Sequence, residues 1–353
     1  MSVLTLEDLK VTYQTSAGGV PAVRGVNLEI EKGEVVGLAG ESGCGKSTIA
    51  SAILRLLPSK TEIEGKIELD GQDVLSLSPG KLRAVRWSGA SIIFQGAMHA
   101  MNPVQTIGDQ IAEAILVHQQ GGEREAKVRV GSLLEQVNLP PRRAKDYPHE
   151  LSGGQKQRVM IAMALACSPS LVIADEPTTA LDVMVQAQVL RLMKKLQADL
   201  GLSMIFITHD LSVLVETSDR LAIMYAGKII EEGPADTVFH SPQHPYTEAL
   251  AAAFPEIGDR RFRGKPSGLG GDPPDPANMP TGCSFHPRCP RLAEAVKAVD
   301  PEAIRDPERL KDAMERLPTP FDTCSTTEPQ LVVAGDRRKA ACVLVGDSAE
   351  VAR

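Results

Sequence analysis

Aromatic residues are scarce in this sequence: Phe, Trp and Tyr make up only 3% of its 353 residues. A core of ordinary size must then be built mainly from Val, Ile, Leu and Ala. Long apolar runs are missing as well. The best candidate, residues 160–174, is shorter than the roughly 18 residues that a bilayer span needs and is interrupted at residues 168–170. We therefore expect no segment that crosses a membrane.

Basic residues are not in excess, and the first residues lack the pattern of a secretion signal. The sequence has 38 Lys and Arg against 45 Asp and Glu, a formal net charge of −7, which argues against broad electrostatic binding to nucleic acid or anionic lipid. The opening MSVLTLEDLK has neither the basic nor the apolar region of a signal peptide. We expect a protein that stays in the cytosol, binds no nucleic acid and reaches any membrane through partners.

The length and a change in composition predict two units. A single core usually stops growing near roughly 250 to 300 residues, and after residue 255 the chain becomes rich in Gly, Pro and charge. We therefore predict a large domain over residues 1–255 and a smaller C-terminal domain over residues 256–353. Within the large domain, residues 97–160 are mostly polar with helical periodicity, which indicates a helical subdomain.

Two patterns of hydrophobicity predict two kinds of strand. Residues 3–13 and 65–69 alternate between apolar and polar, which is typical of half-exposed antiparallel strands. Residues 35–39, 171–174 and 204–208 are continuous apolar runs, which is typical of strands covered on both faces of a parallel sheet. The sequence therefore predicts an α/β fold with an antiparallel flank.

Residues 40–47 read GESGCGKS, the pattern of a phosphate-binding loop, between the apolar run VVGLA and a helical stretch. Glycines let successive backbone amides curl around phosphates, and the helix N-terminus adds the positive end of its dipole. Lys46 is predicted to reach the terminal phosphates and Ser47 to ligate Mg²⁺, whereas Cys44 is predicted to be a small tolerated residue rather than a reactive one. The residues expected to contact ATP here are Gly40, Ser42, Gly43, Cys44, Gly45, Lys46, Ser47 and Thr48.

The segment LVIADEP at residues 171–177 is an apolar strand that ends in two adjacent carboxylates. Two acids after a strand are commonly a solvated strand end, but a phosphate loop upstream favours a catalytic interpretation. Because successive strand residues point to opposite sides, Asp175 and Glu176 cannot share one role. We predict that Asp175 holds Mg²⁺ through its water shell and that Glu176 polarises the attacking water.

The segment LSGGQ at residues 151–155 precedes a helical stretch and is a second site of the same chemistry. A serine hydroxyl and two glycines at a helix start form an anion site. The predicted residues are Ser152, Gly153, Gly154 and Gln155. One subunit has little need of two phosphate-binding surfaces for one nucleotide. We therefore predict that two chains pair head to tail and that each LSGGQ contacts the nucleotide of the other.

Together these residues resemble the nucleotide-binding subunit of ABC transporters, over essentially residues 1–255. The resemblance implies a P-loop ABC ATPase fold with a RecA-like parallel-sheet core, an antiparallel β subdomain and a helical subdomain. It also implies that Tyr13 stacks on adenine, that Gln95 senses the γ-phosphate and Mg²⁺, and that His209 is the switch histidine. Residues 180–182, with Asp182, would be the D-loop. A lone Tyr, Gln or His is more often structural, and only the order of the motifs favours these roles.

Two further segments resemble the oligopeptide and dipeptide branch of ABC importers, whose related systems also carry nickel. They are SPQHPYTEAL at residues 241–250 and GCSFHPRCP at residues 282–290, and residues 94–104 resemble the dipeptide type. The resemblance implies a peripheral subunit at the cytoplasmic face of the inner membrane. Its implied partners are a second ABC ATPase in a heterodimer, two integral permeases and an extracytoplasmic substrate-binding protein. Nickel or another solute remains an alternative to peptide.

Four of the six cysteines lie near the end of the sequence: Cys283, Cys289, Cys324 and Cys342, separated by 5, 34 and 17 residues. In a reducing compartment structural disulfides are not expected, and four thiols can close around one metal centre. In the subunits that the chain resembles this pattern holds a 4Fe-4S cluster. The spacing matches neither a ferredoxin run nor a paired C-x-x-C zinc site, so structural Zn²⁺ and unligated thiols stay open. His286 is expected to be a loop residue.

Two other classes of protein fit the sequence less well than a transporter ATPase. Chromosome and repair members of the ABC superfamily insert long coiled coils between the two phosphate motifs, whereas only 104 residues separate Ser47 from Ser152. Translational members carry two cassettes, and this chain has one. A metal-dependent redox sensor that merely binds nucleotide would predict a damaged Glu176 or LSGGQ. The sequence therefore predicts an ATPase that couples hydrolysis to the import of dipeptides or oligopeptides.

Overall fold

The computed structural model describes residues 2–94, 96, 100–118, 122–179, 181–253, 269–335 and 337–345. Two β-sheets organise these residues. The smaller sheet is antiparallel and contains β1 (Ser2–Thr15), β2 (Gly18–Glu31), β4 (Thr61–Leu69) and β5 (Gln72–Asp73). Its strand order is β2-β1-β4-β5. The predicted antiparallel flank is confirmed.

The larger sheet runs in the order β11-β12-β10-β9-β3-β8-β7-β6. Its strands are β3 (Val35–Ala39), β6 (Ala90–Ile93), β7 (Leu171–Asp175), β8 (Ser203–Ile207), β9 (Arg220–Tyr225), β10 (Lys228–Pro234), β11 (Val332–Val333) and β12 (Lys339–Ala340). The five strands from β9 to β6 in that order are parallel, while β10, β11 and β12 pair antiparallel. The continuous apolar runs predicted as parallel strands are β3, β7 and β8.

Eleven α-helices lie among the described residues. They are α1 (Lys46–Ile53), α2 (Pro79–Ser88), α3 (Ile107–His118), α4 (Glu123–Gln136), α5 (Gly153–Ala164), α6 (Val183–Leu200), α7 (Leu211–Thr217), α8 (Ala235–His240), α9 (Pro245–Ala253), α10 (Pro290–Val299) and α11 (Pro307–Glu315). No helix in the described part of the chain is both long and apolar enough to span a bilayer.

The parallel strands separate two hydrophobic cores because their side chains alternate between the faces of the sheet. Val35 and Ala39 of β3 pack into a core shared with α3, α4 and α5, whereas Val36 and Leu38 pack into a core shared with α1 and the antiparallel sheet. The same alternation holds in β7. Burial on both faces is what a continuous apolar run requires, so the carboxyl ends of these strands are held firmly at one edge of the sheet.

The C-terminal residues contribute both to a small core of their own and to the larger sheet. Leu292, Val296, Ala313 and Leu317 are buried together, while β12 pairs with β10 through Glu231 and Ala340. The predicted domain boundary near residue 255 lies outside the described residues. In the described ranges there is no group of three or more His, Cys, Asp or Glu side chains that could hold a metal ion, so a metal-binding C-terminal region is not confirmed.

Candidate nucleotide site

The phosphate loop joins β3 to α1, and its backbone approaches neighbouring chain so closely that only glycine fits at two positions. A Cβ on Gly40, at φ 149°, would lie 2.2 Å from the carbonyl oxygen of Met224. A Cβ on Gly45, at φ 106°, would lie 2.4 Å from the carbonyl oxygen of Ala22. Gly43, at φ 80°, has nothing within 4 Å of the same position. The loop is therefore anchored at both ends and open between them.

Lys46 begins α1, and its side chain folds into the loop. Its Nζ donates to the carbonyl oxygens of Gly40 at 2.8 Å and Glu41 at 2.9 Å, and lies 3.6 Å from Cys44 Sγ. The cation therefore sits at the centre of the predicted phosphate cradle. Burial raises the pKa of Cys44 more than the nearby Lys46 lowers it, so the thiol is protonated near neutral pH, which agrees with a tolerated rather than a reactive residue.

The other predicted contacts of the loop lie at the start of α1. Tyr13, on β1, places its hydroxyl 3.2 Å from Thr48 Oγ1, so the predicted adenine-stacking residue lies beside the helix. Ser47 forms a hydrogen bond with Asp175 at the end of β7. The structure thus brings Tyr13, Thr48, Ser47 and Asp175 into one site, although they come from three separate parts of the sequence.

Asp175 and Glu176 have different surroundings. Asp175 is buried, and its Oδ1 has no hydrogen-bond partner among the described residues. Burial raises the pKa of this carboxyl, while the bond from Ser47 lowers it. A buried carboxylate oxygen without a partner costs free energy unless a cation or water meets it. The hard oxygen donors of Asp175 and Ser47 are those that Mg²⁺ prefers.

Glu176 leaves the strand with a left-handed backbone at φ 46°. Its amide donates to the carbonyl oxygen of Ile207 at 2.9 Å, and its Oε2 accepts from Thr179 Oγ1 at 2.9 Å. Its Oε1 lies 3.3 Å from Nδ1 of His209, which follows β8. The predicted base and the predicted switch histidine are therefore in contact at the edge of the sheet where β7 and β8 end.

The LSGGQ segment forms the N-terminus of α5. Ser152 is the N-cap: its Oγ accepts from the Gln155 amide at 3.4 Å, and Gln155 Oε1 accepts from the Ser152 amide at 3.0 Å. A Cβ on Gly154 would lie 2.5 Å from Val185 Cγ1 on α6, so close packing of the two helices needs a glycine there. Across the ranges that the structure covers, no hydrogen bond joins residues 151–155 to the phosphate loop.

Of the remaining residues predicted to act at the nucleotide site, the structure describes some and not others. Asp182 is the N-cap of α6, and its Oδ1 accepts from the Val185 amide at 3.0 Å. Gln95, which was predicted to bind Mg²⁺ and the γ-phosphate, lies outside the described residues, and so does Ala180.

The four C-terminal cysteines lie in one neighbourhood and are free thiols. The Cys283 amide donates to the Cys324 carbonyl oxygen at 2.9 Å. Burial, with the charges of the other thiols, raises the pKa of Cys283 to about 11 and that of Cys324 to about 12. The donor chemistry suits a metal centre, but the described side chains do not form a ligand group, so the predicted 4Fe-4S cluster and its Zn²⁺ alternative are not confirmed. His286 begins a single 3-10 turn, His286–Arg288, rather than an irregular loop, and its Nδ1 is 3.0 Å from the Cys283 carbonyl oxygen.

Sequence reasoning did not single out two residues that contact the phosphate loop at Glu41. Tyr246 accepts from the Glu41 amide through its hydroxyl at 2.9 Å, and Arg288 binds the Glu41 carboxylate. Both lie in segments that were noted only for their resemblance to peptide importers, namely residues 241–250 and 282–290. That resemblance was the only signal in the sequence that could have found them. The contacts themselves join residues that are 205 and 247 positions apart.

Comparison with known proteins places the chain in a family. Residues 23–179 match the ABC transporter family and residues 230–295 match the oligopeptide/dipeptide transporter C-terminal region. The dipeptide transport ATP-binding protein DppD of Bacillus subtilis is 45% identical over 303 residues, which cover 85% of this chain and 90% of that protein. The oligopeptide transport ATP-binding protein OppD of Bacillus subtilis is 44% identical over 290 residues, 80% of each.

Among solved structures, the dimeric post-hydrolysis state of the ATP-binding cassette MJ0796 bound to ADP and Pi is similar, with a TM-score of 0.59 and 31% identity. The match covers 66% of this chain and 98% of that one. The predicted P-loop ABC ATPase fold is thereby confirmed. The chain belongs to the ABC transporter family of ATP-binding proteins.

Proposed function

We propose that this chain is the ATP-hydrolysing, energy-coupling subunit of an ABC importer for dipeptides or oligopeptides. The observation that carries hydrolysis is the pair of carboxylates at the end of β7, where Asp175 is buried beside Ser47 and Glu176 contacts His209. Peptide as the substrate class is supported by the match of residues 230–295 and by similarity to the dipeptide and oligopeptide transport proteins of Bacillus subtilis.

The phosphate loop would bind ATP through its backbone amides and Lys46. Lys46 exchanges its contacts with the loop carbonyls for the terminal phosphates, and Tyr13 stacks on adenine. Ser47, Asp175 and Gln95 would hold Mg²⁺, which supplies positive charge between the phosphates when bound. Asp175 is suited to this role because its buried Oδ1 lacks a partner in the described structure.

Glu176 would orient and polarise the attacking water, with His209 assisting from the end of β8. The general base must lie within reach of the water that it activates, and Glu176 is held there by Thr179 and by the Ile207 carbonyl. Residues 152–155 would contact the ATP of a partner cassette, which in the proposed complex is a second ABC ATPase. ATP binding closes this pair, and hydrolysis reopens it.

The proposed complex contains two integral permeases and an extracytoplasmic substrate-binding protein, with this chain at the cytoplasmic face of the inner membrane. The helical region from residue 97 to 160 would transmit the closing motion to the permeases. The D-loop at Asp182 would transmit it between the two cassettes. Support comes from the family, whose described relatives are ATP-binding subunits of transporters. Purification from membranes with the permeases and a second ATPase tests this assignment, and a chain that purifies alone from membranes contradicts it.

The substitution Glu176→Gln tests the catalytic assignment. The amide keeps the shape of the side chain but cannot act as a base, so ATP turnover in the assembled complex should fall by at least about a hundredfold, while MgATP binding is retained. Turnover is measured by phosphate release and binding by equilibrium titration. Glu315→Gln, an exposed position on α11 outside the helical region 97–160, is the control and should leave both unchanged. Turnover that survives in Glu176→Gln shows that another group is the base.

We further propose that Cys283, Cys289, Cys324 and Cys342 are the ligand set of a 4Fe-4S cluster. The support is four buried or half-buried thiols in one neighbourhood of the C-terminal part. Iron, sulfide and zinc are measured on the complex purified without oxygen, from the wild type and from Cys283→Ser. Iron and sulfide that fall together in the variant support the cluster, zinc supports the alternative, and neither metal contradicts both.

A further inference from the structure

Glu41, the second residue of the phosphate loop, is bound by an arginine that lies 247 residues further along the chain. Arg288 Nη1 and Nη2 donate to the two carboxylate oxygens of Glu41 at 2.7 and 3.0 Å. The Arg288 side chain is only 7% exposed and that of Glu41 24%, so water screens the pair poorly. Such a two-point arginine–carboxylate pair fixes orientation as well as distance.

The arginine itself is held on several sides. Its Nε donates to the Gly270 carbonyl oxygen at 3.0 Å, and its Nη1 also lies 3.3 Å from the Tyr225 hydroxyl. Hydrogen bonds from Arg288 to Glu41 are the main cause that raises the pKa of Arg288 further above its usual range. The guanidinium therefore remains charged and fixed at this place.

The backbone of Glu41 is held by the same part of the molecule. Its amide donates to the Tyr246 hydroxyl at 2.9 Å. The Tyr246 ring is fully buried and packs against Tyr225 and Phe285, with ring centroids 4.7 and 5.4 Å away. Phe285 and Arg288 belong to one short segment, residues 282–290, so this segment supports both the main chain and the side chain of Glu41.

The charge of Glu41 matters because its backbone carbonyl helps to hold the Lys46 ammonium group. The carbonyl oxygens of Gly40 and Glu41 hold Lys46 Nζ at 2.8 and 2.9 Å. A carboxylate released at this position could turn toward Lys46 and compete with phosphate for its charge, and it would repel a polyphosphate directly. Arg288 neutralises the carboxylate and holds it on the side of the loop that faces residues 270–290.

We propose that Arg288 is a positioning residue of the nucleotide site, which keeps Glu41 out of the phosphate cradle and so sets the affinity of the loop for MgATP. This rests on the proposed function, since it assumes that residues 40–47 bind nucleotide. The segment that carries Cys283 and Cys289 is thereby part of the support of the ATP site.

The test compares Arg288→Gln, Arg288→Lys, Glu41→Gln and the double variant, each in the full chain within its complex. Arg288→Gln leaves the Glu41 carboxylate unpaired, so the Kd for MgATP should rise about tenfold, as expected when one partner of a poorly solvated ion pair is removed. KM should rise with it, while kcat at saturating ATP changes less than about threefold. Arg288→Lys keeps the charge but not the two-point contact, so its Kd for MgATP should lie between those of wild type and Arg288→Gln.

The decisive measurement is rescue by the second substitution. Glu41→Gln removes the free carboxylate, so in the Arg288→Gln background it should return the Kd to within about threefold of wild type. A purely structural role of Arg288 predicts no such rescue, because the double variant lacks both halves of the pair. Thermal unfolding of each variant is recorded alongside, and the Glu41→Gln single variant keeps the test informative where Arg288→Gln folds poorly.

Arg291→Gln is the matched control. Arg291 lies three residues further along, and its Nη2 pairs with Glu248 Oε2 at 2.8 Å, but the pair is exposed and away from the loop. Its Kd should equal that of wild type. Wild-type affinity in Arg288→Gln, or a double variant as weak as that single variant, overturns the inference. A wild-type complex that does not bind MgATP overturns the proposed function itself.

Discussion

Adjacent residues take different roles when the backbone changes between them, and Asp175 and Glu176 illustrate this. Asp175 is the last residue of β7 and points into the protein beside Ser47. Glu176 has φ 46°, an uncommon conformation for a residue with a side chain. The alternation of a strand predicts that two neighbours diverge, but the left-handed step is what directs Glu176 toward His209. Strain of this kind is often retained at functional sites.

His244 is a second residue whose environment determines its chemistry. It is fully buried, and its Nδ1 accepts from the Tyr246 amide at 3.0 Å. Burial, with a smaller contribution from the charge of Arg291, lowers the pKa of His244 to about 3. The residue is therefore neutral in the folded protein at physiological pH, and it holds the start of α9 through its unprotonated nitrogen.

The stability of the protein should fall with acidity because of His244. The unfolded chain takes up a proton below pH about 6.5, whereas the folded chain resists it down to about pH 3, so this residue removes about 2 kcal/mol of unfolding free energy between pH 7 and 5. In His244→Asn, whose amide oxygen can accept from Tyr246, that part of the pH dependence should vanish. Denaturant unfolding at several pH values measures it.

The control for this pH prediction is His149→Asn, because His149 is exposed and stacks on the ring of Tyr147. Its pH dependence should match that of wild type. If His244→Asn loses stability between pH 7 and 5 as steeply as wild type, then His244 is not the group that resists protonation.

At the scale of elements, the cap of α5 has both a local and a proposed distant role. The reciprocal bonds between Ser152 and Gln155 satisfy two backbone amides at the helix start. Both residues are exposed or half-buried, so the local contribution is modest. The same hydroxyl and amides are the proposed contact with the ATP of a partner.

Ser152→Ala separates the two roles. Loss of the cap should lower the free energy of unfolding by about 1 kcal/mol, whereas ATP turnover of the assembled complex should fall by about tenfold or more, because a phosphate contact is lost in the closed pair. Asp306→Ala is the matched control, since Asp306 caps α11 far along the chain and accepts from the Glu308 amide at 2.9 Å. It should lose similar stability and keep turnover. Equal turnover in both variants contradicts the proposed contact.

Elements with a long periodic pattern could be predicted from the sequence, and shorter ones could not. The continuous runs of β3, β7 and β8 and the alternating run of β1 are strands. The apolar residues Ile49, Ile53 and Leu56 have the spacing of one helix face, but α1 ends at Ile53, and Leu56 is 43% exposed. β11 and β12 contain only two residues each, too few for any periodicity, and they exist because β10 offers an edge.

The candidate site was predictable where its chemistry is local in sequence. The phosphate loop, the acid pair and the N-cap of α5 each lie within a few residues, so residue type and order are enough. The contact of Glu41 with Tyr246 and Arg288 joins residues that are far apart in sequence. No pattern within one segment encodes it, because it depends on how α9 and the C-terminal residues pack against β9.

At the scale of the whole molecule, the surface around LSGGQ has an apolar neighbour. α6 packs its first turn against the start of α5 through Val185 and Gly154, and the two preceding residues, Val183 and Met184, are 78% and 68% exposed. Large apolar side chains beside a predicted phosphate contact are costly to leave in water and are typical of a surface that another molecule covers. In the proposed head-to-tail pair that molecule is the partner cassette.

Met184→Glu should therefore weaken the ATP-dependent pair. In a Glu176→Gln background MgATP is bound but not hydrolysed, so on mixing with the second ABC ATPase the paired state should accumulate, and light scattering should report the summed mass of the two subunits. A buried unpaired carboxylate at position 184 opposes closure, and the ATP concentration for half-maximal pairing should rise by about tenfold or more. Val128→Glu, at an exposed apolar position on α4 that is 71% exposed, should pair as the parent does. Undiminished pairing of the Met184→Glu variant would place the partner on another face of the molecule.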